Sequence, residues 1–245
     1  MKRTFAYIIR LLVAFSLSNC QAFAQDTIDL PLKIRIGAEV SGPAIYFYDK
    51  NVLSTEGYVS VDLDEKRSVM FGAGSLNYRY SQYNYDYRAK GFFMRTGMDF
   101  NLLGPLKAKG KYWAGIGLHY GLSRFTSEIP SFQTENYWGA VSSSVGERVS
   151  WGHFIEATPG VRAEIFRNVS IGWTLSARLL VYSGTGRDLR PLYFPGFGSG
   201  EKRLSIAMNY FISFNIPYKR IRVIVLPPPP EEPEEETVPE IGPNR

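Results

Sequence analysis

Residues 91–103 read GFFMRTGMDFNLL. Counting by twos from Phe92 gives Phe92, Met94, Thr96, Met98, Phe100 and Leu102. The residues between them are Phe93, Arg95, Gly97, Asp99 and Asn101. Side chains of a strand alternate between its two faces, so this stretch reads as a strand with one greasy face and one face carrying an arginine and an aspartate. Both faces need a home, and few environments supply both.

The same period recurs along the chain, and eight such segments stand out. Near 32–40, Leu32, Ile34, Ile36, Ala38 and Val40 oppose Lys33, Arg35 and Glu39. Near 56–64, Val59, Val61 and Leu63 oppose Tyr58, Ser60 and Asp62. The segment near 68–80 is interrupted by Gly72 and Gly74, and the quoted stretch is the fourth. Near 112–125, Tyr112, Ala114, Ile116, Leu118, Tyr120 and Leu122 oppose Gly115, Gly117, His119, Gly121 and Ser123. Near 151–165, Ile155, Ala157, Val161 and Ala163 oppose Glu156, Thr158, Arg162 and Glu164. Near 169–181, Val169, Ile171, Trp173, Leu175, Ala177 and Leu179 oppose Ser170, Thr174, Ser176 and Arg178. Near 203–216, Leu204, Ile206, Met208, Tyr210, Ile212, Phe214 and Ile216 oppose Ser205, Asn209, Ser213 and Asn215.

The links after the second, fourth and sixth segments are short. Those after the first, third, fifth and seventh are longer, the longest running from about Thr126 to Ser150. That alternation predicts an all-β fold: an eight-stranded antiparallel up-and-down transmembrane β-barrel over residues 32–218, with both termini in the periplasm. Volume sets the orientation of the faces. The interior of an eight-stranded barrel is just wide enough for side chains to fill. The glycine- and serine-rich face fits that lumen, and the Phe, Met, Leu, Ile and Trp face belongs outside against lipid. Lys90 and Arg124 then fall on the lipid face at strand ends, where a charge costs about 0–1 kcal/mol. His153 and Pro159 also fall there, which a β-bulge would relieve.

On this reading Lys33, Arg35, Glu39, Arg95, Asp99, Glu156, Arg162, Glu164 and Arg178 converge in the lumen. Both signs are present, so the expectation is a mutually paired, filled interior, since buried charges need partners. Arg162 and Arg178 are the expected partners of Glu156. The functional alternative is a proton or ion path.

Residues 1–24 read as a secretory signal peptide: Lys2, Arg3 and Arg10, then an apolar core, then Ala22-Phe23-Ala24 as the cleavage pattern. Lipoprotein processing at Cys20 is the rival. Cleavage after Ala24 removes the sole cysteine and three positive charges, taking the formal charge from +5 to +2 (25 basic minus 23 acidic). That near-neutral balance, with export, argues against a nucleic-acid partner. Residues 25–31 form a short lead. Residues 219–245 form a tail that passes from basic to apolar to proline-rich to acidic. It is a spacer, or a docking arm in which Val223, Ile224, Val225 and Leu226 add a strand to a partner. In the longer loops, Tyr137, Trp138, Tyr193, Phe194 and Phe197 either cap the barrel mouth or contact a partner.

Chemistry-bearing motifs are missing from the sequence. It has no CxxC, HExxH, P-loop or GxSxG, so no metal, cofactor or catalytic site is expected. His119 and Ser123 share the predicted lumenal face, which keeps a barrel enzyme acting on lipid as a distant reading. The stretches KGFFMRTGMDFNLL, YWAGIGLHYGLSRF, ENYWG, GVRAEIFRNVSIGWTLSARLL, LYFPGFG and MNYFISFNIPY resemble a family of small exported β-barrel proteins of Bacteroidota, catalogued as a domain of unknown function. The resemblance covers roughly residues 32–218. It implies an outer-membrane barrel without catalytic residues, and an accessory subunit of the outer-membrane barrel-assembly machinery. The expected function is therefore a non-enzymatic outer-membrane barrel that contacts lipid and protein partners, with a narrow pore or small-solute transporter as the alternative.

Overall fold

All eight alternating segments are strands of one closed barrel in the computed structural model, which describes residues 27–137, 139–184 and 191–225. The strands are β1 (Thr27–Glu39), β2 (Val52–Asp62), β3 (Arg67–Gln82), β4 (Tyr85–Asn101), β5 (Tyr112–Asn136), β6 (Gly139–Phe166), β7 (Val169–Ser183) and β10 (Leu204–Ile224). Their order around the ring is β1-β10-β7-β6-β5-β4-β3-β2. Two short strands, β8 (Tyr193–Phe194) and β9 (Gly198–Ser199), pair with each other inside the link between β7 and β10. Helix α1 (Ser41–Tyr48) joins β1 to β2, and α2 (Pro105–Ala108) sits in the link between β4 and β5. Residues 29–223 form one compact unit. The predicted signal peptide, Trp138, and Leu226 with the rest of the tail lie outside the described residues.

Faces follow parity. The outward set includes Phe92, Leu118, Tyr120, Ile155, Trp173, Leu175, Ile206, Ile212 and Phe214, each between two-fifths and two-thirds exposed. The inward set includes Ser60, Arg95, His119, Ser123, Glu156, Ser176 and Asn215, all nearly inaccessible. This is the inverse of a soluble barrel, and it comes from volume. A Cβ built on Gly117 would lie 2.4 Å from both Asp99 Oδ1 and Thr158 Oγ1, and one on Gly121 would lie 2.2 Å from the Phe154 ring. The lumen has no room for even a methyl group at those positions, so the bulky residues must face out.

Three boundaries differ from the sequence reading. The lead and the start of the tail are strand: β1 begins at Thr27 and β10 runs to Ile224, so Val223 and Ile224 belong to the barrel wall. Asp29 and Arg222, on these extensions, form an exposed ion pair at 3.6 Å. Two of the four expected longer links are hairpin. β3 and β4 turn at Tyr83-Asn84, and β5 and β6 stay paired out to Asn136 and Gly139. Register shifts between Ser127 and Ile129 and between Ile129 and Phe132 break the period there, and a two-residue repeat loses its phase at such bulges. Near His153 the bulge is present, between His153 and Phe154 against β7. His153 keeps its outward position, hydrogen-bonded through Nδ1 to the Tyr120 hydroxyl at 2.5 Å.

The barrel therefore has a hairpin end, carrying α1, the long β5–β6 hairpin and the β8–β9 link, and a turn end, carrying the tight connections. At the hairpin end β1 stops early. Val40 N donates to Tyr210 O at 2.9 Å and Tyr210 N to Ser41 Oγ at 2.7 Å, and β10 continues past the end of β1 through Met208 to Leu204, paired with β7. Helix α1 takes the place of the missing strand against β2. Its Gly42 sits so close that a Cβ would be 2.1 Å from the Ser54 carbonyl oxygen.

Candidate functional site: the filled lumen

The inward residues stack in three levels. At the hairpin end, Phe125, Phe154, Phe194 and Phe197 form one buried cluster with Leu180 against it. Phe125 stacks on Phe194 at 5.2 Å and Phe194 on Phe197 at 4.7 Å. The chain reaches this position by folding the β8–β9 link back into the mouth. Gly196 makes the return with φ +73, a left-handed conformation that glycine adopts without strain, and a Cβ there would collide with Phe93 at 2.6 Å. Beside it, Tyr78 stacks on Tyr193 at 4.8 Å, and the Tyr87 hydroxyl donates to the Tyr193 carbonyl at 3.4 Å. Burial pushes the Tyr87 phenol up to about 12. Phe194 and Phe197 are thus not exposed loop contacts. Burying their rings in the mouth removes more apolar surface than any loop position would. Tyr137, at the tip of the β5–β6 hairpin, is exposed.

The middle level is ionic. Arg95 donates from Nε to Glu56 Oε1 at 2.7 Å and from Nη1 to Glu156 Oε2 at 2.6 Å. Arg178 Nε donates to Glu156 Oε1 at 2.7 Å, and its Nη1 reaches the Phe197 carbonyl at 3.4 Å, joining this level to the aromatic one. His119 Nε2 lies 3.0 Å from Asp99 Oδ1, and its Nδ1 lies 3.7 Å from Glu156 Oε2. Ion pairing of this kind offsets the desolvation of each charge while fixing the side chains across the bore. His119 is committed to carboxylates, and Ser123, four residues along the same strand, is about 13 Å away by strand rise. A serine nucleophile activated by His119 is therefore excluded by distance.

At the turn end the pairs separate. Arg35 Nη2 meets Asp62 at 2.6 Å, and Asp62 also accepts the Lys33 backbone N–H at 3.0 Å. The Lys33 ammonium binds Glu164 and donates to the Gly110 carbonyl at 2.6 Å. Gly110 follows α2, and a Cβ on it would come 2.8 Å from Pro31. The β4–β5 link therefore crosses beneath the bore to the β1 side. Arg162 is the exception to the expected pairing. It makes no salt bridge among the described residues, and its Nη2 is buried with no hydrogen-bond partner. Glu156 is paired to β7 at Arg178, directly opposite in register, whereas Arg162 lies three inward positions further along β6. Glu39 accepts the Gly42 backbone N–H at 3.1 Å as the chain enters α1.

The nine predicted lumenal charges thus all face inward but divide into separate groups. Glu56, Asp62 and His119, which complete those groups, were missing from the predicted set. Asp62 and His119 lay on faces already identified as polar, and Glu56 is one inward step beyond Tyr58. Val223 and Ile224 are in β10, and no metal-ligand cluster occurs among the described residues.

The sequence pattern of one family, described as Domain of unknown function (DUF6048), matches residues 1–221. The protein belongs to the DUF6048 family. No curated protein matches the DUF6048 chain. Among solved structures, the crystal structure of the N-terminal beta-barrel domain of Pseudomonas aeruginosa OprF is similar to it at 10% identity and a TM-score of 0.31, covering 77% of the DUF6048 chain and 100% of that chain.

Proposed function

We propose that this protein is a non-enzymatic barrel of a Gram-negative outer membrane, serving as a structural or accessory subunit of a membrane complex. One observation carries the reading: bulky apolar side chains ring the outside of a closed barrel whose bore is filled by ion pairs and stacked rings. Such a continuous apolar exterior far exceeds the few hundred Å² that soluble monomers expose, and lipid is the solvent that rewards it. Lys90, paired with Glu147 at 3.7 Å, and Arg124, over the Trp151 ring at 5.4 Å, mark where the apolar belt gives way on the hairpin side.

In this orientation the turn end and both termini are periplasmic and the hairpin end is extracellular. The β5–β6 hairpin then rises clear of the lipid, with Tyr137 at its tip, as a surface for a protein partner. Lys219, Arg220 and Arg222 of β10, all exposed, lie near periplasmic lipid phosphates. The docking hypothesis for Val223 to Leu226 is narrowed, since Val223 and Ile224 lie within β10 and Val225 is buried. A Bacteroidota origin and a place in barrel assembly follow from the family resemblance and belong to the same proposal.

Membrane extraction tests the reading first. The protein should resist alkaline carbonate and migrate faster on gels before boiling than after. Release by carbonate, with migration indifferent to heat, would overturn it. Purification in mild detergent should retain a partner, and recovery as a lone monomer would count against the accessory role. In planar bilayers the plugged bore should give no steady current, and an ion-selective current would replace this reading with a pore.

A further inference from the structure

We infer that the turn-end mouth of the lumen is a binding site for a small oxyanion of the phosphate class, with Arg162 as its anchor. Arg162 projects inward from β6 between two cavities of about 60 Å³ each. One opens toward the turn end and is shared with Lys33, Arg35, Lys111 and Asn215. The other lies deeper, beside Asp99 and His119. The Trp113 ring faces the guanidinium at 5.1 Å, which orients its plane and supplies no acceptor. A guanidinium carries five N–H donors, and those of Nη2 are enclosed without a partner.

The surrounding carboxylates are already engaged. Asp62 holds Arg35 and the Lys33 backbone. Glu164 holds Lys33 through one oxygen and the Asn168 backbone N–H through the other. Asp99 holds His119. Asp99 lines the deeper cavity with Arg162 and supplies negative charge there without bonding it, so Arg162 is short of an acceptor for Nη2 rather than of a counter-charge. An enclosed donor left unsatisfied is costly, the more so when charged, so a sequence that keeps it gains from something that enters.

Three features select a small oxyanion. The planar guanidinium fork binds carboxylates and phosphates through two parallel hydrogen bonds. The cavity is roomy enough for several waters, at roughly 10–15 Å³ for each, and so for one such ion. Asn215 adds a donor: its Nδ2 now meets Ser170 Oγ at 2.6 Å and its Oδ1 is unpartnered. A half-turn of the amide keeps the Ser170 contact, with the hydroxyl donating, and puts an N–H₂ where the oxygen was. Free phosphate and a lipid phosphate share this chemistry and approach from the same end.

The test is thermal unfolding of the purified full-length barrel in neutral detergent, read by its gel mobility shift. Inorganic phosphate is titrated at constant ionic strength against chloride. The wild-type midpoint should rise with phosphate and continue rising with its logarithm beyond saturation. Arg162→Gln should lose that rise and, without phosphate, be at least as stable as wild type. A residue that served only structure would instead be destabilised by the change. Arg162→Lys keeps the charge without the fork and should show a response weakened several-fold, which serves if Arg162→Gln does not fold. A rise seen only when phosphatidylglycerol is added to phosphate-free micelles, and lost in Arg162→Gln, would assign the site to a lipid phosphate. An equal rise with chloride, no rise with either phosphate source, or an unchanged response in Arg162→Gln would overturn the inference. None of these readouts depends on the protein having a partner, so failure of the accessory role leaves the test intact.

Discussion

The two ends of the bore are closed by different chemistry. At the hairpin end, stacked rings exclude water and need no charge accounting. At the turn end, separate ion pairs and a crossing link cover the mouth, and the Nη2 donors of Arg162 are left without a partner. The aromatic seal depends on shape, so it fails by losing volume. The ionic end depends on pairing, so it fails or changes state by altering charge. The middle level, where Arg178 bonds both Glu156 and the Phe197 carbonyl, couples the two.

Substitutions of different size probe that contrast. The largest effects should come from Arg95→Gln and Phe194→Ala. Arg95→Gln leaves Glu56 uncompensated and Glu156 half-paired, at a cost of about 3–5 kcal/mol in urea unfolding. Phe194→Ala opens a cavity in the ring cluster at a similar cost of about 3–5 kcal/mol. The two should differ in bilayers, because Phe194→Ala leaves the ionic level intact and should stay closed to ions. A current through Phe194→Ala would mean that the rings alone seal the bore.

Next in size is Gly196→Ala, which forces a side chain into a left-handed turn and against Phe93. It should cost about 1–3 kcal/mol by the same unfolding assay. Alkali should also act on the aromatic end. Tyr87 has a folded pKa of about 12, raised from an ordinary 10.0, because burial disfavours its anion. Its contribution is complete below pH 10 and is lost as the pH rises toward 12, so unfolding midpoints should fall in that window and Tyr87→Phe should flatten the fall. The smallest effect belongs to Arg222→Ala. Its pair with Asp29 is exposed, and stability should change by less than about 1 kcal/mol.

The strands and their faces were legible because period-2 alternation and side-chain volume are local properties. Phe92 and Arg95 declare opposite faces within four residues. Pairing across the bore was not legible, because it depends on register. Arg162 and Arg178 have equal claims on Glu156 in the sequence, and only the β6–β7 ladder sets Arg178 beside it. The aromatic seal was half legible: the rings of residues 193–197 were conspicuous, but their inward fold rests on contacts with Phe93, Phe125 and Phe154, far away in the chain. Helix α1 left no periodic signal, being a short segment that stands in for a strand.

That substitution has a consequence for motion. β1 is in register with β2 only from Ile34 to Ala38, and its last bond to β10 uses the Ser41 hydroxyl. Joining the first strand to the last closes the longest loop in the chain, and β1 holds β2 on its other side by few rungs. The seam should therefore be the final part of the wall to zip, and the amides of β1 the earliest among the strands to trade their protons for deuterium.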